Sequence, residues 1–177
     1  MKRFLIILIA VIILASTPLV SKANDTLAVG GQLGFLASGV VIDIPFGALD
    51  VQAGINYPLG FSFIQAATDN IDDAFFFPYF NVTADVTYPV SLSDNFDLKF
   101  GISTLGFTDF ESGVFGALGG AIKGEFWIQE KDIGLFMNLN APIMVYLFAD
   151  GESLVFTDPL LPLIGLVSST VGILYRL

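Results

Sequence analysis

Residues 80–88 read Phe-Asn-Val-Thr-Ala-Asp-Val-Thr-Tyr, and this stretch decides the fold. Every second residue from Phe80 to Tyr88 is apolar, and the residues between them are polar. Because successive side chains of a strand leave opposite faces of a sheet, this period of two predicts a strand with one oily and one polar face. Aromatic residues stand at both ends of the oily face. That arrangement is typical of a strand that crosses a membrane in a β-barrel with a polar interior.

The same alternation recurs along the chain and predicts eight strands. They cover residues 27–35, 40–46, 48–57, 80–88, 96–103, 114–128, 133–148 and 169–177. An even number of strands is what a closed antiparallel barrel from one bacterial chain requires. The sequence therefore predicts an all-β fold, a transmembrane antiparallel up-and-down β-barrel.

The connections between these strands differ in length in a regular way. Those after strands three, five and seven are long, and those after strands two, four and six are short. The connection after strand one is short and departs from this rule. Residues 58–77, 89–95 and 149–162 are predicted as loops or turns. Because single-chain barrels have short periplasmic turns and longer outer loops, the pattern predicts that both termini lie in the periplasm.

The first 23 residues have the features of a secretory signal peptide. Lys2 and Arg3 precede an apolar run over residues 4–15, and small residues lead to Ala23. This order of basic start, short apolar core and small-residue exit predicts cleavage after Ala23, which leaves a barrel domain of residues 24–177. An uncleaved anchor is the alternative, because residues 4–20 are nearly long enough to span a bilayer.

Composition excludes several classes of function. The chain has 17 acidic and 7 basic residues, and its net charge of −10 argues against nucleic-acid binding, which needs clustered lysine and arginine. It contains no histidine and no cysteine, so the Ser-His and Cys-His arrangements of hydrolases are impossible. We therefore predict that the protein is not an enzyme and has no catalytic residue and no cofactor.

Three acidic residues lie close together in the longest predicted connection: Asp69, Asp72 and Asp73. Carboxylates bind divalent cations through their oxygen atoms, but these three lack the spacing of a dedicated calcium loop. We predict no metal site, and cation binding at these acids stays open as a weaker hypothesis.

A helical inner-membrane protein is the alternative fold. The mean hydropathy of +0.77 is high for a barrel, whose alternation dilutes its average. Residues 133–149 and 160–174 are the best helical candidates. Each is short or interrupted for a helix that needs about 20 apolar residues to cross the bilayer.

The last eight residues read Thr-Val-Gly-Ile-Leu-Tyr-Arg-Leu. They resemble the C-terminal signal of bacterial outer-membrane β-barrel proteins, with Thr170 as the polar position, Gly172 as the glycine, Tyr175 as the aromatic and Leu177 as the terminal apolar residue. That family usually ends in an aromatic residue, so Leu177 is a departure. The resemblance implies recognition by the barrel-assembly machinery and residence in the outer membrane of a Gram-negative bacterium.

The chain also resembles the small eight-stranded outer-membrane barrels in its length. That group includes structural anchors, adhesins, small-solute channels and lipid-modifying enzymes. The resemblance implies compartment and fold, with outer-membrane lipid as the surroundings, and it does not choose among these roles.

Charged residues on the inward faces of the predicted strands form the candidate site. They are Asp85, Asp97, Lys99, Lys123, Glu125 and Arg176. Asp43 and Asp50 also face inward in the second and third strands. The interior of an eight-stranded barrel is just wide enough for side chains to fill, and buried charges must be paired. The pattern therefore favours a packed, ion-paired interior, and the alternative is a narrow polar path or a ligand site.

These observations favour a non-enzymatic outer-membrane barrel that is structural or interacts with a surface partner, which the sequence does not identify. The alternative on the same fold is a small, porin-like passive pore or a channel for apolar solutes.

Overall fold

A computed structural model describes residues 26–68, 80–108, 113–149 and 152–177. The predicted signal peptide and the acidic residues 69, 72 and 73 lie outside these ranges. The described residues form nine strands, two α-helices and one 3₁₀ turn. The strands are β1 (Ala28–Gly34), β2 (Ser38–Phe46), β3 (Leu49–Tyr57), β4 (Phe80–Ser93), β5 (Phe96–Thr108), β6 (Gly113–Ile128), β7 (Ile133–Ala149), β8 (Glu152–Phe156) and β9 (Thr170–Arg176). The helices are α1 (Leu59–Ala67) and α2 (Leu161–Ser168), and the 3₁₀ turn is Gln129–Lys131.

The strands form one antiparallel sheet that closes on itself. The ring runs β6-β5-β4-β3-β2-β1-β9-β7, and a further pairing of β7 with β6 closes it. β8 pairs with the end of β7 and is not one of the strands of the ring. The predicted eight-stranded antiparallel barrel is therefore confirmed.

The two ends of the barrel differ. The lower end holds the tight connections between β2 and β3, β4 and β5, and β6 and β7. Gly47 makes the first of these turns with a φ of 64°, a conformation that favours glycine. The C-terminus is also at this end, where the Leu177 N–H donates to the Leu27 carbonyl oxygen at 2.9 Å. The upper end holds α1, α2 and the β7–β8 hairpin. The short connections after β2, β4 and β6 thus share an end with the C-terminus, as the connection lengths predict, and the short β1–β2 connection lies at the other end.

All three of the predicted loops or turns are wrong in part. β4 continues through Pro89 to Ser93, so the turn expected over residues 89–95 is confined to its end. The pairing of β4 with β3 stops at Thr87, and proline is tolerated beyond such a point because the missing N–H faces no partner strand.

The predicted loop over residues 149–162 contains β8 and the start of α2. β9 covers only the first part of β7, so the far end of β7 has a free edge. β8 supplies hydrogen bonds to that edge, and this satisfies backbone groups that alternation in the sequence does not reveal. Likewise, α1 occupies part of the predicted connection 58–77.

The helical alternative is wrong. Residues 133–149 form strand β7, and residues 160–174 divide between the eight-residue helix α2 and strand β9. In the described part of the chain, no helix has the length and apolar character needed to cross a bilayer.

The two faces of the barrel wall have opposite character. Large apolar side chains are exposed on the outside of every strand of the ring, among them Val40, Ile55, Val82, Ile102, Ile122, Leu135 and Ile173. Polar side chains fill the inside, among them Gln32, Asp43, Gln52, Asn81, Asp85 and Asn138. The alternation that identifies the strands therefore also assigns their faces correctly.

Candidate functional site in the lower barrel interior

Two lysines lie at the centre of the lower interior, which we call the lower lumen. Lys99 on β5 and Lys123 on β6 are each 1% exposed, and Glu125 between them is fully buried. Lys99 and Lys123 are directly opposite each other in the β5–β6 register. Like charges in such a position repel, so the site is stable only because acidic side chains lie between them.

The salt bridges of Lys99 reach three strands. Its Nζ lies 2.7 Å from an Asp50 oxygen on β3, 2.9 Å from Glu125 Oε2 on β6 and 3.7 Å from Asp43 Oδ2 on β2. A single ammonium group thus connects opposite walls of the barrel.

Lys123 uses two of the same acids. Its Nζ lies 2.8 Å from Asp43 Oδ2 and 2.9 Å from Glu125 Oε2, and it also lies 4.9 Å from the centre of the Phe136 ring. Asp43 and Glu125 are therefore shared between both lysines. We call Asp43, Asp50, Lys99, Lys123 and Glu125 the lysine cluster.

An indole and a guanidinium continue this arrangement toward the lower end. Trp127 Nε1–H donates to Glu125 Oε1 at 2.5 Å. The Arg176 guanidinium carbon lies 3.9 Å from the centre of the Trp127 ring, a cation–π distance. Trp127 and Arg176 thus extend the lysine cluster to the last strand of the chain.

Asp85 and Asp97 are bound by neutral donors. Asn138 Nδ2 donates to Asp85 Oδ2 at 2.7 Å, and Ser91 Oγ–H donates to Asp97 Oδ1 at 2.6 Å. Of the six charged residues that the sequence places inside, the structure brings three into the lysine cluster and sets the other three beside it. The cluster also contains Asp43 and Asp50, whose inward positions were visible in the alternation but whose partners were not.

A second polar layer lies above the lysine cluster. Gln32 Nε2 donates to Asn56 Oδ1 at 2.8 Å, and Asn56 Nδ2 donates to Thr83 Oγ1 at 3.1 Å. Thr170 Oγ1–H donates to Gln32 Oε1 at 3.4 Å. These side chains belong to β1, β3, β4 and β9, so this layer also ties distant strands together.

The residues of the C-terminal motif occupy both faces of β9. Thr170 is buried in the polar layer, whereas Tyr175 and Leu177 are exposed. Gly172 faces inward, and a Cβ there would lie 2.4 Å from the Phe136 ring and from the Gly31 carbonyl oxygen. The glycine of the motif therefore has a packing reason in the finished barrel.

Above the polar layer the interior becomes apolar, and we call this region the upper lumen. Ala37, Leu105 and Phe107 are buried together, with Leu36 packed against them. Asn81 Nδ2 donates to the Leu36 carbonyl oxygen and so holds the β1–β2 turn inside the barrel mouth.

Two small spaces lie inside the described barrel. One cavity of about 20 Å³ lies between the polar layer and the upper lumen, and another of about 10 Å³ lies beside Lys99 and Trp127. Each has room for about one water molecule.

The chemistry available in this site is that of ion pairing. Among the described residues no group of three or more acidic side chains is arranged to hold a metal ion. No protein-family model, curated protein or solved structure matches the chain, so its function has to be inferred from the barrel itself.

Proposed function

We propose that this protein is a non-enzymatic outer-membrane β-barrel of a Gram-negative bacterium, with a sealed interior and a structural or surface-interacting role. The observation that carries the proposal is the lysine cluster, which fills the lower lumen with five charged side chains from four strands. A solute cannot pass unless these ion pairs separate.

The cluster is costly to open. Each charge has left water for a confined site, and its stabilisation depends on its partners. Glu125 has both lysines within 2.9 Å, so moving its carboxylate aside leaves two opposed ammonium groups with only Asp43 as a shared acid. Such an interior suits a rigid anchor better than a pore.

The outer surface supports membrane residence. Apolar side chains cover the outward face of each strand of the ring. Tyr57 and Phe80 pack edge to face at the upper end with ring centres 6.2 Å apart, and Tyr175 is exposed at the lower end. Aromatic girdles at both interfaces are a property of membrane-spanning barrels.

A refolding experiment tests membrane residence and fold together. We expect residues 24–177 to refold in detergent with a β-sheet circular dichroism spectrum and to migrate differently on a gel before and after boiling. A closed barrel resists the gel detergent until it is heated. A helical spectrum, or a mobility that boiling does not change, would contradict the proposal.

Single-channel recording in planar lipid bilayers tests the sealed interior. We expect the refolded chain to insert without conductance, because the lysine cluster leaves space for about one water molecule at a time. Steady conductance steps would instead favour the passive pore. A channel for apolar solutes is the second candidate, and the apolar upper lumen is the observation that favours it.

A further inference from the structure

One part of the barrel wall is not made of paired strands. β9 pairs with β7 as far as Asn138, and β8 pairs with β7 from Val145 onward. On this edge of β7, residues 139–144 face no strand within the described part of the chain. α2 lies against them instead. A Cβ on Gly165 would be 1.8 Å from the Asn140 carbonyl oxygen, so only glycine lets the helix approach this closely.

At this place the residues of β7 fit a neighbouring helix better than a neighbouring strand. The Asn140 backbone N–H donates to Ser169 Oγ at 3.3 Å, and its Nδ2 donates to the Ser168 carbonyl oxygen at 2.8 Å. Pro142, two residues further, points its nitrogen toward the same edge and has no N–H to leave unpaired. A helix satisfies its own backbone hydrogen bonds, so it can occupy a gap in the wall where an unpaired strand edge is not tolerated.

One face of α2 is exposed and the other is buried, as expected of a helix that forms part of the barrel wall. Leu163 and Leu166 point outward and are 71% and 80% exposed, whereas Leu161 and Ser168 are buried. The helix therefore separates the apolar outer surface from the barrel interior.

The space behind α2 lies at the floor of the upper lumen. The cavity of about 20 Å³ is lined by Leu105, Ala117, Pro142 and Ser168, among others. Along β5 the inward side chains change from Lys99 through Ser103 and Leu105 to Phe107. Anything that entered beside α2 would thus meet apolar walls above a polar floor.

We propose that α2 is a movable segment of the barrel wall that admits one acyl chain of a membrane lipid into the upper lumen. The cavity holds about one water molecule, so α2 must swing outward as the chain enters. The movement breaks the two hydrogen bonds from Asn140 and leaves the lysine cluster intact. This proposal rests on the proposed membrane location.

A reversible lock on α2 tests the proposal. The chain has no cysteine, and the side chains of Asn140 and Ser168 line the same cavity. The variant Asn140→Cys/Ser168→Cys is refolded into phosphatidylcholine vesicles whose acyl chains carry a photoactivatable diazirine. Adducts are located by mass spectrometry after illumination of the oxidised variant, the reduced variant and the unmodified chain. Each sample is first checked for the heat-dependent gel shift of a folded barrel.

The readout is labelling of inward Leu105 relative to outward Ile102, which lies on the same strand and is 57% exposed. We expect this ratio to be about fivefold higher in the reduced variant than in the unmodified chain, since the lost hydrogen bond from the Asn140 side chain contributes about that factor to an opening equilibrium. The ratio should be lowest in the oxidised variant, whose disulfide holds α2 against β7. An equally low ratio in all samples would overturn the movable wall and leave the membrane location intact. Absence of labelling at Ile102 would overturn the membrane location, and this proposal with it.

A second variant covers the case in which the cysteine pair does not fold. In Gly165→Ala the new methyl group collides with the Asn140 carbonyl oxygen and pushes α2 off β7. Leu105 labelling should rise above that of the unmodified chain, and Leu166→Ala on the exposed face of the same helix should leave it unchanged. Equal labelling in Gly165→Ala and Leu166→Ala would overturn the proposal.

Discussion

Two lysines and three carboxylates connect the strands of the lower lumen, whereas two hydrogen bonds from one asparagine hold α2 against the upper wall. In the lower half each charged side chain is stabilised by several others, so the loss of any one of them strongly destabilises the fold. In the upper half α2 satisfies its own backbone, and its departure exposes few polar groups. One barrel thus combines a rigid base with a wall segment that can be displaced.

Glu125→Ala should produce the largest loss of stability, because it leaves two buried lysines facing each other across β5 and β6. We expect the free energy of unfolding to fall by about 4 kcal/mol, as when one partner of a buried ion pair is removed. Urea titration in detergent micelles, followed by the emission of Trp127, measures it.

Glu152→Ala is the matched control, since it removes the same charge from an exposed position on β8. If both variants lost equal stability, the lysine cluster would not be what makes the lower half rigid.

Gly172→Ala should have an intermediate effect. Its methyl group would collide with the Phe136 ring and the Gly31 carbonyl oxygen, and overpacking of this kind costs about 2 kcal/mol. The same urea titration applies. Gly31→Ala is the comparison, because a Cβ there meets its nearest atom at an ordinary 3.5 Å. A loss as large in Gly31→Ala would mean that glycine content, rather than the fit of β9, sets the stability.

Gly165→Ala should change global stability least, by about 1 kcal/mol or less, because a local opening of α2 relieves the collision without unfolding the barrel. Amide hydrogen exchange should show faster exchange in α2 and unchanged protection of β5 and β6. Loss of protection throughout the barrel would show that the upper and lower halves are not independent.

The sequence predicts most of the barrel and part of its interior. The alternation around Asp85, Lys99 and Lys123 predicts both that these residues lie in strands and that their side chains point inward. Both predictions follow from the same period of two. The partners of the lysines could not be predicted, since they depend on the stagger of β2 and β3 against β5 and β6. Asp43 and Asp50 face inward in the sequence pattern, but only the register brings them within reach of Lys99.

The region from β8 to α2 escaped prediction for a different reason. Residues 152–168 carry apolar side chains on consecutive positions, so no period distinguishes strand from helix there. Their structure is imposed by the end of β7. This strand extends beyond its pairing with β9, and its backbone N–H and C=O groups there need other hydrogen-bonding partners. Such a requirement comes from the fold as a whole rather than from the local sequence.

The seam between β1 and β9 has a consequence for biogenesis. Ala28 pairs with Arg176, so the ring is closed by residues from nearly opposite ends of the described chain. Contacts of such long sequence separation form slowly. The chain loses conformational entropy when its two ends are brought together, and it does so before any stabilising contact has formed. Until the final strand arrives, the lysine cluster lies on an open sheet. In the membrane location that we propose, lipid would then reach these charges, so we expect closure of the ring to accompany insertion.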